Sequence, residues 1–286
     1  MRRQASAFRT QAGGRTTGLP MQNSEDAMSF QFIDVRRSGR VTLVTLNRPS
    51  VLNALHKPAH FELHDAFNWF SADPEQWVAI ITGAGDQAFC AGNDLKWQAE
   101  GGERGWNLSG FGGLALRFHC DKPIIAAVNG MALGGGFEIA LACDLIIASE
   151  NATFSLPQPR MGLAALAGGL QRLPRQIGLK RAMDLILTGR RISAREGLEF
   201  GFVNQVVPPG EALSAAERWA DQICQNSPMS VRASKQTVME GLNVSLPEAM
   251  IAQREYAGVR DMIASEDFVE GLRAYAEKRP PRWQGK

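Results

Sequence analysis

The residues best suited to chemistry lie in a turn of three consecutive glycines, Gly134–Gly136, which leads into Phe137 and Glu138. The apolar run Ile124–Val128 before the turn predicts a strand, and the residues after it predict a helix. Glycines let the backbone approach a ligand closely. The first N–H groups of a helix lack intrahelical partners and form the positive end of its dipole. The turn therefore suits an anion, or an oxygen that becomes one.

Three kinds of ligand site share this pattern: a dinucleotide-binding turn, a phosphate loop and an oxyanion hole. A dinucleotide turn needs a third glycine where Ile139 stands, and no GK[ST] sequence follows to make a phosphate loop. A tight packing turn without any ligand is the plain structural alternative. Glu138 favours chemistry, because a carboxyl among apolar neighbours has a raised pKa and can act as an acid or a base. A first-turn glutamate can also simply stabilise the helix dipole.

A second segment, Ala88–Lys96, again places small residues before a predicted helix start near Asp94. The residue after Gly92 is Asn93, whose backbone N–H could point outward. Two N–H donors from separate segments form an oxyanion hole, which stabilises a thioester carbonyl as it becomes an enolate. This segment is a weak signal alone, but its pairing with the glycine turn favours the oxyanion hole.

These motifs, in this order, resemble the crotonase, or enoyl-CoA hydratase/isomerase, family, from about Phe32 to Trp283. The resemblance implies an α/β fold: a spiral of ββα repeats with a C-terminal helical trimerisation region, usually assembled as a dimer of trimers. The matching motifs are Leu46–Pro49, Leu52–Leu55, Phe89–Leu95, Pro123–Asp144, Gly168–Pro174, Leu187–Ala194, Gly201–Val203 and Glu277–Pro281.

The resemblance also implies roles for individual residues. The N–H groups of Asn93 and Gly135 form the oxyanion hole, and Glu138 is the first of two catalytic glutamates. Coenzyme A is part of the substrate, so neither a separate cofactor nor a metal ion is expected. The candidate coenzyme A contacts are Ala91, Asn93, Asp94, Leu95, Tyr275 and Lys278, and the last two are expected to reach the coenzyme A of a neighbouring subunit. The candidates for the acyl pocket, with a surface or subunit contact as the alternative, are Trp97, Trp106 and Phe111.

One position departs from the family pattern. The second glutamate of the hydratases lies 20 residues beyond the first, where this chain has Gln158. A glutamine amide can hold a water but cannot usefully donate or accept a proton, and the loss of a general acid or base typically lowers a rate by about 10²–10⁴. We predict a hydratase-like lyase that adds water to an α,β-unsaturated acyl-CoA, with Glu138 activating the water and Gln158 positioning it. The alternatives are an isomerase, an acyl-CoA hydrolase or decarboxylase of the same fold, and a catalytically weak CoA-binding protein.

The composition excludes several other classes. The 286 residues include 44% hydrophobic and 21% charged residues with a net charge of +2, which is ordinary for a globular protein and too mild for nucleic-acid binding. No apolar run reaches the roughly 20 residues of a membrane span. The four cysteines form no CxxC pair, which indicates free thiols. His56, His60 and His64 share a helical spacing, but no further ligand pattern joins them. We therefore expect a half-solvated helix face rather than a metal site.

The chain is predicted to have three parts. Residues 1–28 form a disordered or targeting extension, residues 29–211 the ββα core with the acyl-CoA site, and residues 212–286 a helical oligomerisation region. The expected assembly is a homo-oligomer, a trimer or a dimer of trimers, in the cytoplasm and active in fatty acid metabolism. A transit peptide within residues 1–28 would place it in the mitochondrial matrix instead, and Met28 could also be the true start. Helices are also predicted over Leu114–Cys120 and over residues 246–263.

Overall fold

The computed structural model describes residues 30–286, so the extension predicted at 1–28 lies outside the described residues. Strands and helices alternate through the first part of this range, and helices alone make up the last part. The strands are β1 Ile33–Ser38, β2 Val41–Leu46, β3 Val78–Gly83, β4 Ala88–Cys90, β5 Ile124–Val128, β6 Met131–Leu133, β7 Leu145–Ser149, β8 Thr153–Ser155, β9 Ile192–Ser193 and β10 Gln205–Val207. The α-helices are α1 Lys57–Ala72, α2 Leu95–Ala99, α3 Gly135–Ala142, α4 Gly169–Ile177, α5 Leu179–Thr188, α6 Ala194–Phe200, α7 Ala212–Cys224, α8 Pro228–Gly241, α9 Leu246–Ala252, α10 Ala257–Ala264 and α11 Glu266–Glu277.

The strands form two sheets, one in the order β1-β2-β3-β5-β7-β10 and a smaller one in the order β4-β6-β8-β9. Strands β1 and β2 are an antiparallel hairpin, and β2, β3, β5, β7 and β10 run parallel. Successive pairs, β3 with β4, β5 with β6 and β7 with β8, add one strand to each sheet before the chain enters a helix. This is the predicted spiral of ββα repeats.

Strand β3 is buried along its whole length because the large sheet is covered on both faces. Alternate residues of a strand point to opposite faces. Accordingly, Ala79 and Ile81 belong to the main core with Phe67 of α1. Val78 and Ile80 belong to a second core, whose other side is α7 with the buried alanines Ala212, Ala215, Ala216 and Ala220. Strand β3 is thus a central strand of the large sheet.

Two predicted helices are wrong. Leu114–Cys120 forms turns after a 3₁₀ turn at Phe111–Gly113. Seven residues are too few to hold a helix without tertiary support, and the Arg117 guanidinium instead donates to the carbonyl of Gly113 at 2.8 Å. The segment 246–263 is split at Tyr256, whose ψ of 139° is extended.

The split at Tyr256 has a tertiary cause. The N–H of Gly258, just beyond it, donates to Oε1 of Gln236 on α8 at 2.7 Å. Packing of α10 against α8 therefore fixes the direction of the chain at this point.

Within residues 30–286, none of the helices combines the length and apolarity needed to cross a bilayer.

The helices α8–α11 expose an unusual number of large apolar side chains for a surface. The predicted helical region is present, and its role in oligomerisation stays a prediction. The exposed apolar side chains of these helices are Val238, Met239, Leu246, Met250, Ile251, Ile263, Phe268, Val269, Leu272 and Tyr275.

Candidate active site

The glycine turn joins β6 to α3, as its sequence predicts. Gly134 has a φ of +54°, a left-handed value that favours glycine, and α3 begins at Gly135. A Cβ on Gly136 would overlap the carbonyl of Cys90, and a Cβ on Gly92 would lie 3.0 Å from the Gly135 nitrogen. The two small-residue segments therefore lie directly against each other, although they come from separate motifs.

The backbone around Asn93 is held by a short parallel bridge to Leu55. The N–H of Leu55 donates to the Gly92 carbonyl at 2.7 Å, and the N–H of Asp94 donates to the Leu55 carbonyl at 2.9 Å. The N–H of Asn93, between these two bonds, has no protein acceptor among the described residues. The N–H of Gly135 is the first of α3 and lacks an intrahelical partner. Two free N–H groups thus come from adjacent segments.

An ion pair fixes the end of the Asn93 segment. One Asp94 oxygen accepts the N–H of Trp97 at 3.0 Å and caps α2, while the other lies 2.8 Å from the Arg48 guanidinium. Both side chains are largely buried, with exposed fractions of 15% for Arg48 and 9% for Asp94. Burial opposes ionisation of Asp94, but the Trp97 N–H and the Arg48 charge outweigh it and lower the pKa of the carboxyl.

The carboxyl of Glu138 lies in the first turn of α3 and is 3% exposed. One oxygen accepts the backbone N–H of Gly169 at 2.9 Å, and the other accepts Nε2 of Gln158 at 3.2 Å. Burial raises the pKa of Glu138 to about 7, against the opposing effects of the N–H groups of Gly169 and Ala167 and of the Arg172 charge. Such a carboxyl exists in both protonation states near neutral pH, so it can both take and return a proton.

Gln158 belongs to a 3₁₀ turn, Gln158–Met161, and is 8% exposed. Its amide lies between Glu138 and the glycine turn, since a Cβ on Gly134 would be 3.5 Å from Nε2. Its Oε1 is buried and has no hydrogen-bond partner among the described residues. Buried carbonyl oxygens are rarely left unpaired. This oxygen can therefore accept a hydrogen bond from a water or a hydroxyl group.

The three aromatic candidates for the acyl pocket are not equivalent. Phe111 is buried, and its ring packs so closely against Gly135 that a Cβ there would overlap it. Trp106 is half exposed and lies 6.1 Å from Phe111 between ring centroids. Trp97 packs elsewhere, 4.8 Å from the ring of His56. Only Phe111, and Trp106 through it, are linked to the glycine turn by these contacts.

The prediction of a half-solvated histidine face is wrong for two of the three residues. His56 is 4% exposed and His60 is 1% exposed. The segment that covers them runs from α2 to the turn at Phe111–Gly113, and Gly112 donates its N–H to Nδ1 of His60 at 3.1 Å. Periodicity along α1 cannot reveal a cover supplied by a distant loop, so sequence reasoning missed His60.

Ser109 and His64 form a pair that does not act as a nucleophile and base. Asn68 accepts from Arg117 through its Oδ1 at 2.9 Å, so its Nδ2 donates to Nε2 of His64, also at 2.9 Å. The proton of the neutral ring is then on Nδ1, which donates to the Ser109 hydroxyl at 2.7 Å. A histidine that donates to a serine cannot accept its proton. This hydrogen bond instead holds the segment that covers His56 and His60 against α1.

The remaining predicted residues lie around this centre. Ala91 is half-buried and Leu95 is 41% exposed beside the Asn93 segment. Tyr275, which is 89% exposed, and Lys278 stand at the end of α11. Their contact with coenzyme A stays a prediction. Among residues 30–286, no three His, Cys, Asp or Glu side chains are grouped as they would be around a metal ion.

Comparison with known proteins decides which family this geometry belongs to. A sequence model of the enoyl-CoA hydratase/isomerase family matches residues 36–286. The chain belongs to the enoyl-CoA hydratase/isomerase family. Among its relatives, carnitinyl-CoA dehydratase of Proteus mirabilis is 40% identical over 262 residues, which are 90% of this chain and 99% of the relative. Carnitinyl-CoA dehydratase of Salmonella arizonae is 42% identical over 256 residues, which are 87% of this chain and 97% of the relative.

Solved structures of the enoyl-CoA hydratase/isomerase family show the same fold. Enoyl-CoA hydratase from Mycobacterium tuberculosis H37Rv is 39% identical, with a TM-score of 0.84 over 89% of this chain and 99% of the other. Enoyl-CoA hydratase from Bacillus anthracis is 37% identical, with a TM-score of 0.82 over 90% of this chain and 100% of the other. The predicted family and fold are confirmed, and with them the prediction of a hydratase-type enzyme for acyl-CoA substrates.

Proposed function

We propose that this member of the enoyl-CoA hydratase/isomerase family adds water across the double bond next to an acyl-CoA thioester, and also catalyses the reverse dehydration. The observation that carries the proposal is the buried carboxyl of Glu138, hydrogen-bonded to Gln158 and Gly169, in the helix turn that begins at Gly135. A carboxyl with a pKa of about 7 can transfer protons in both directions near neutral pH.

The thioester oxygen would bind between the N–H groups of Asn93 and Gly135. Addition of hydroxide at C3 moves negative charge onto this oxygen, and fixed N–H donors stabilise that charge without reorganising. The close approach of Gly92 to the Gly135 nitrogen supports this assignment, because it brings the two donors to the same place. Loss of one such donor typically lowers kcat by about 10²–10³.

One carboxyl then suffices for the whole reaction. Ionised Glu138 takes a proton from water while the hydroxide adds to C3, which leaves an enolate and a protonated Glu138. The protonated carboxyl returns the same proton to C2, so one water is added and Glu138 is ionised again. The unpaired Oε1 of Gln158 would accept the second hydrogen of the attacking water and so position it.

A second function, double-bond isomerisation, can use the same single carboxyl. The Gln158 amide cannot supply an exchangeable proton, so Glu138 would carry out both proton transfers here too. Isomerisation needs only one base, which removes a proton at one carbon and returns it to another. Ionised Glu138 could do this between C4 and C2 on the same enolate. The two reactions differ in mass, because hydration adds a water and isomerisation adds nothing.

The names of the relatives favour a test in the dehydration direction as well, with a 3-hydroxyacyl-CoA as substrate.

We further propose a trimer or a dimer of trimers, because the apolar faces of α8–α11 are exposed in one chain. In that assembly Tyr275 and Lys278 would reach coenzyme A bound to a neighbouring subunit. Coenzyme A enters as part of the substrate, and the proposed location is the cytoplasm.

The test uses the purified protein, but-2-enoyl-CoA and bulkier enoyl-CoAs, with product analysis by mass spectrometry. We expect wild type to form the hydrated product and Glu138→Gln to lose about 10²–10⁴ of kcat. The mechanism is wrong if Glu138→Gln retains the wild-type rate. A product of unchanged mass but shifted double bond assigns the isomerase, and tight coenzyme A binding without any turnover assigns a binding protein.

A further inference from the structure

His60 carries a buried hydrogen-bond donor that the mechanism above does not use. The residue lies in the first turn of α1 and is 1% exposed. Its Nδ1 accepts the backbone N–H of Gly112 at 3.1 Å. A backbone N–H can only donate, so Nδ1 holds a lone pair, and the proton of the neutral ring is on Nε2. Nε2 is buried and has no partner among the described residues.

The ring of His60 is neutral under ordinary conditions. Burial, and next the charge of His56, lower the pKa of His60 to about 4. Its Nε2–H is therefore a permanent donor. Buried donors in folded proteins are nearly always paired. An unpaired donor this deeply buried indicates that its partner arrives with a ligand.

Three rings place this donor beside the glycine turn. The His60 ring lies 4.4 Å from Phe111 and 6.4 Å from Trp106 between centroids, and each pair is edge-on. Phe111 also packs against Gly135, so His60 and the start of α3 contact the same aromatic ring. We call His60, Trp106 and Phe111 the aromatic wall. Its outer member, Trp106, is 49% exposed, so the wall borders solvent at this ring.

We propose that the aromatic wall lines the acyl pocket, and that the Nε2–H of His60 binds an oxygen acceptor on the acyl chain. The substrate class is then an acyl-CoA that carries a carbonyl, ether or hydroxyl oxygen beyond C3, in preference to an unsubstituted alkyl chain. This inference rests on the proposed function, because it takes the glycine turn as the thioester site.

The chemistry of the wall explains the expected selectivity. Phe111 and Trp106 provide apolar contact, which most acyl chains can use. A chain without an acceptor would leave the His60 donor buried and unpaired, and a site built to hydrogen-bond a substrate discriminates against an analogue that lacks the partner. Selectivity should therefore reside in His60 rather than in the two larger rings.

Binding of saturated thioesters tests this without turnover. Isothermal titration calorimetry would compare hexanoyl-CoA with its keto analogues that carry the oxygen at C4 or at C5. We expect wild type to bind at least one keto analogue about tenfold more tightly than hexanoyl-CoA, which corresponds to about 1.4 kcal/mol. Equal dissociation constants for the three thioesters would overturn the proposal.

Variants locate the preference. His60→Phe removes the donor and should reduce the ratio of dissociation constants to within about twofold. His60→Gln offers both an acceptor for Gly112 and a donor for the ligand, and should keep most of the preference. The matched control is His119→Phe, which removes an exposed imidazole outside the aromatic wall and should keep the wild-type ratio. If thermal melting shows that His60→Phe is unfolded, His60→Met replaces it.

A ratio that survives in the folded His60→Phe or His60→Met protein would also overturn the proposal, as would its loss in His119→Phe alone. The outcome is separable from that of the proposed function. If but-2-enoyl-CoA is not hydrated but the keto preference depends on His60, the pocket assignment stands and the hydratase proposal falls. If hydration depends on Glu138 but no keto preference exists, only the inference about His60 falls.

Discussion

Nε2 of Gln158 donates to Oε2 of Glu138 at 3.2 Å, while the N–H of Gly169 occupies the other carboxylate oxygen at 2.9 Å. Both oxygens of the Glu138 carboxyl thus accept hydrogen bonds, and these bonds favour the ionised form. Burial nevertheless dominates and raises the pKa to about 7. The hydrogen bonds therefore orient the Glu138 carboxyl, and its burial raises the pKa enough for protonation near neutral pH.

The pH dependence of the reaction should follow this carboxyl. In the mechanism with one carboxyl, hydration begins with ionised Glu138. We therefore expect kcat/KM for but-2-enoyl-CoA to rise with pH through about 7 and to level off above it. The measurement is a pH–rate profile of the free enzyme. A profile that is flat between about pH 6 and pH 8 would assign the proton transfers to another group.

The same carboxyl should make stability depend on pH. Its pKa is raised from 4.5 to about 7 in the folded chain, so the folded state binds more protons than the unfolded state between these values. Its contribution to the free energy of unfolding is fully present below about pH 4.5 and is lost as pH rises through about 7. The total loss is about 3 kcal/mol. Urea unfolding of wild type and Glu138→Gln across this range checks it. The variant should gain stability relative to wild type as pH rises.

Restoring the second carboxyl tests what Gln158 does. Gln158→Glu would place two carboxyl groups in contact, since the amide nitrogen lies 3.2 Å from Glu138. Two such carboxyls share a proton, and one of them can act as acid while the other acts as base. We expect the hydration kcat to rise by about 10². The control Gln158→Met keeps the shape without the amide and should be slower than wild type. A Gln158→Glu variant slower than wild type would mean that the site geometry excludes the reaction with two carboxyls.

The ion pair of Arg48 and Asp94 should matter for both stability and activity. The two side chains are only 15% and 9% exposed. Removal of one partner leaves a buried charge without compensation, so Arg48→Met should lower the free energy of unfolding by about 3 kcal/mol. It should also lower kcat, because Asp94 follows Asn93 directly. The matched control is Arg195→Met, whose pair with Glu150 is 72% and 46% exposed. That change should alter stability by less than about 1 kcal/mol. Equal effects of the two variants would contradict the expectation.

The glycine turn and the segment that contains Cys90 lie so close together that Gly136 cannot be replaced by a residue with a side chain. A Cβ there would overlap the carbonyl of Cys90. We expect Gly136→Ala to separate the two predicted N–H donors and to reduce kcat by at least about 10². Gly39→Ala, in the turn between β1 and β2, is the control, because its φ of +56° is strained for alanine but nothing lies within 4 Å of the added Cβ. It should lower stability by about 1 kcal/mol and leave kcat unchanged. A fully active Gly136→Ala protein would show that this contact does not position the donors.

Features that depend on local backbone chemistry were predictable from the sequence. The glycine turn, the cap of α2 at Asp94 and the Ser193 cap of α6 all lie where their residue types indicate. The contact between Glu138 and Gln158 could be expected only through the family spacing, since nothing in the residues themselves pairs positions that far apart. The burial of His60 could not be predicted, because a loop from elsewhere in the chain covers it. The break at Tyr256 depends likewise on a tertiary contact, that of Gly258 with Gln236.

Strand β3 serves two cores, with Ile81 facing one and Ile80 facing the other. The second of these cores is closed by α7, the first helix of the C-terminal helical region. A chain shortened at residue 211 would leave this side of the central strands in water. We therefore expect the sheet and α7 to melt in one cooperative transition, although the strand pattern ends before α7 begins. The strands end and the helical region begins at about residue 211. The protein cannot be divided there into two pieces that fold independently.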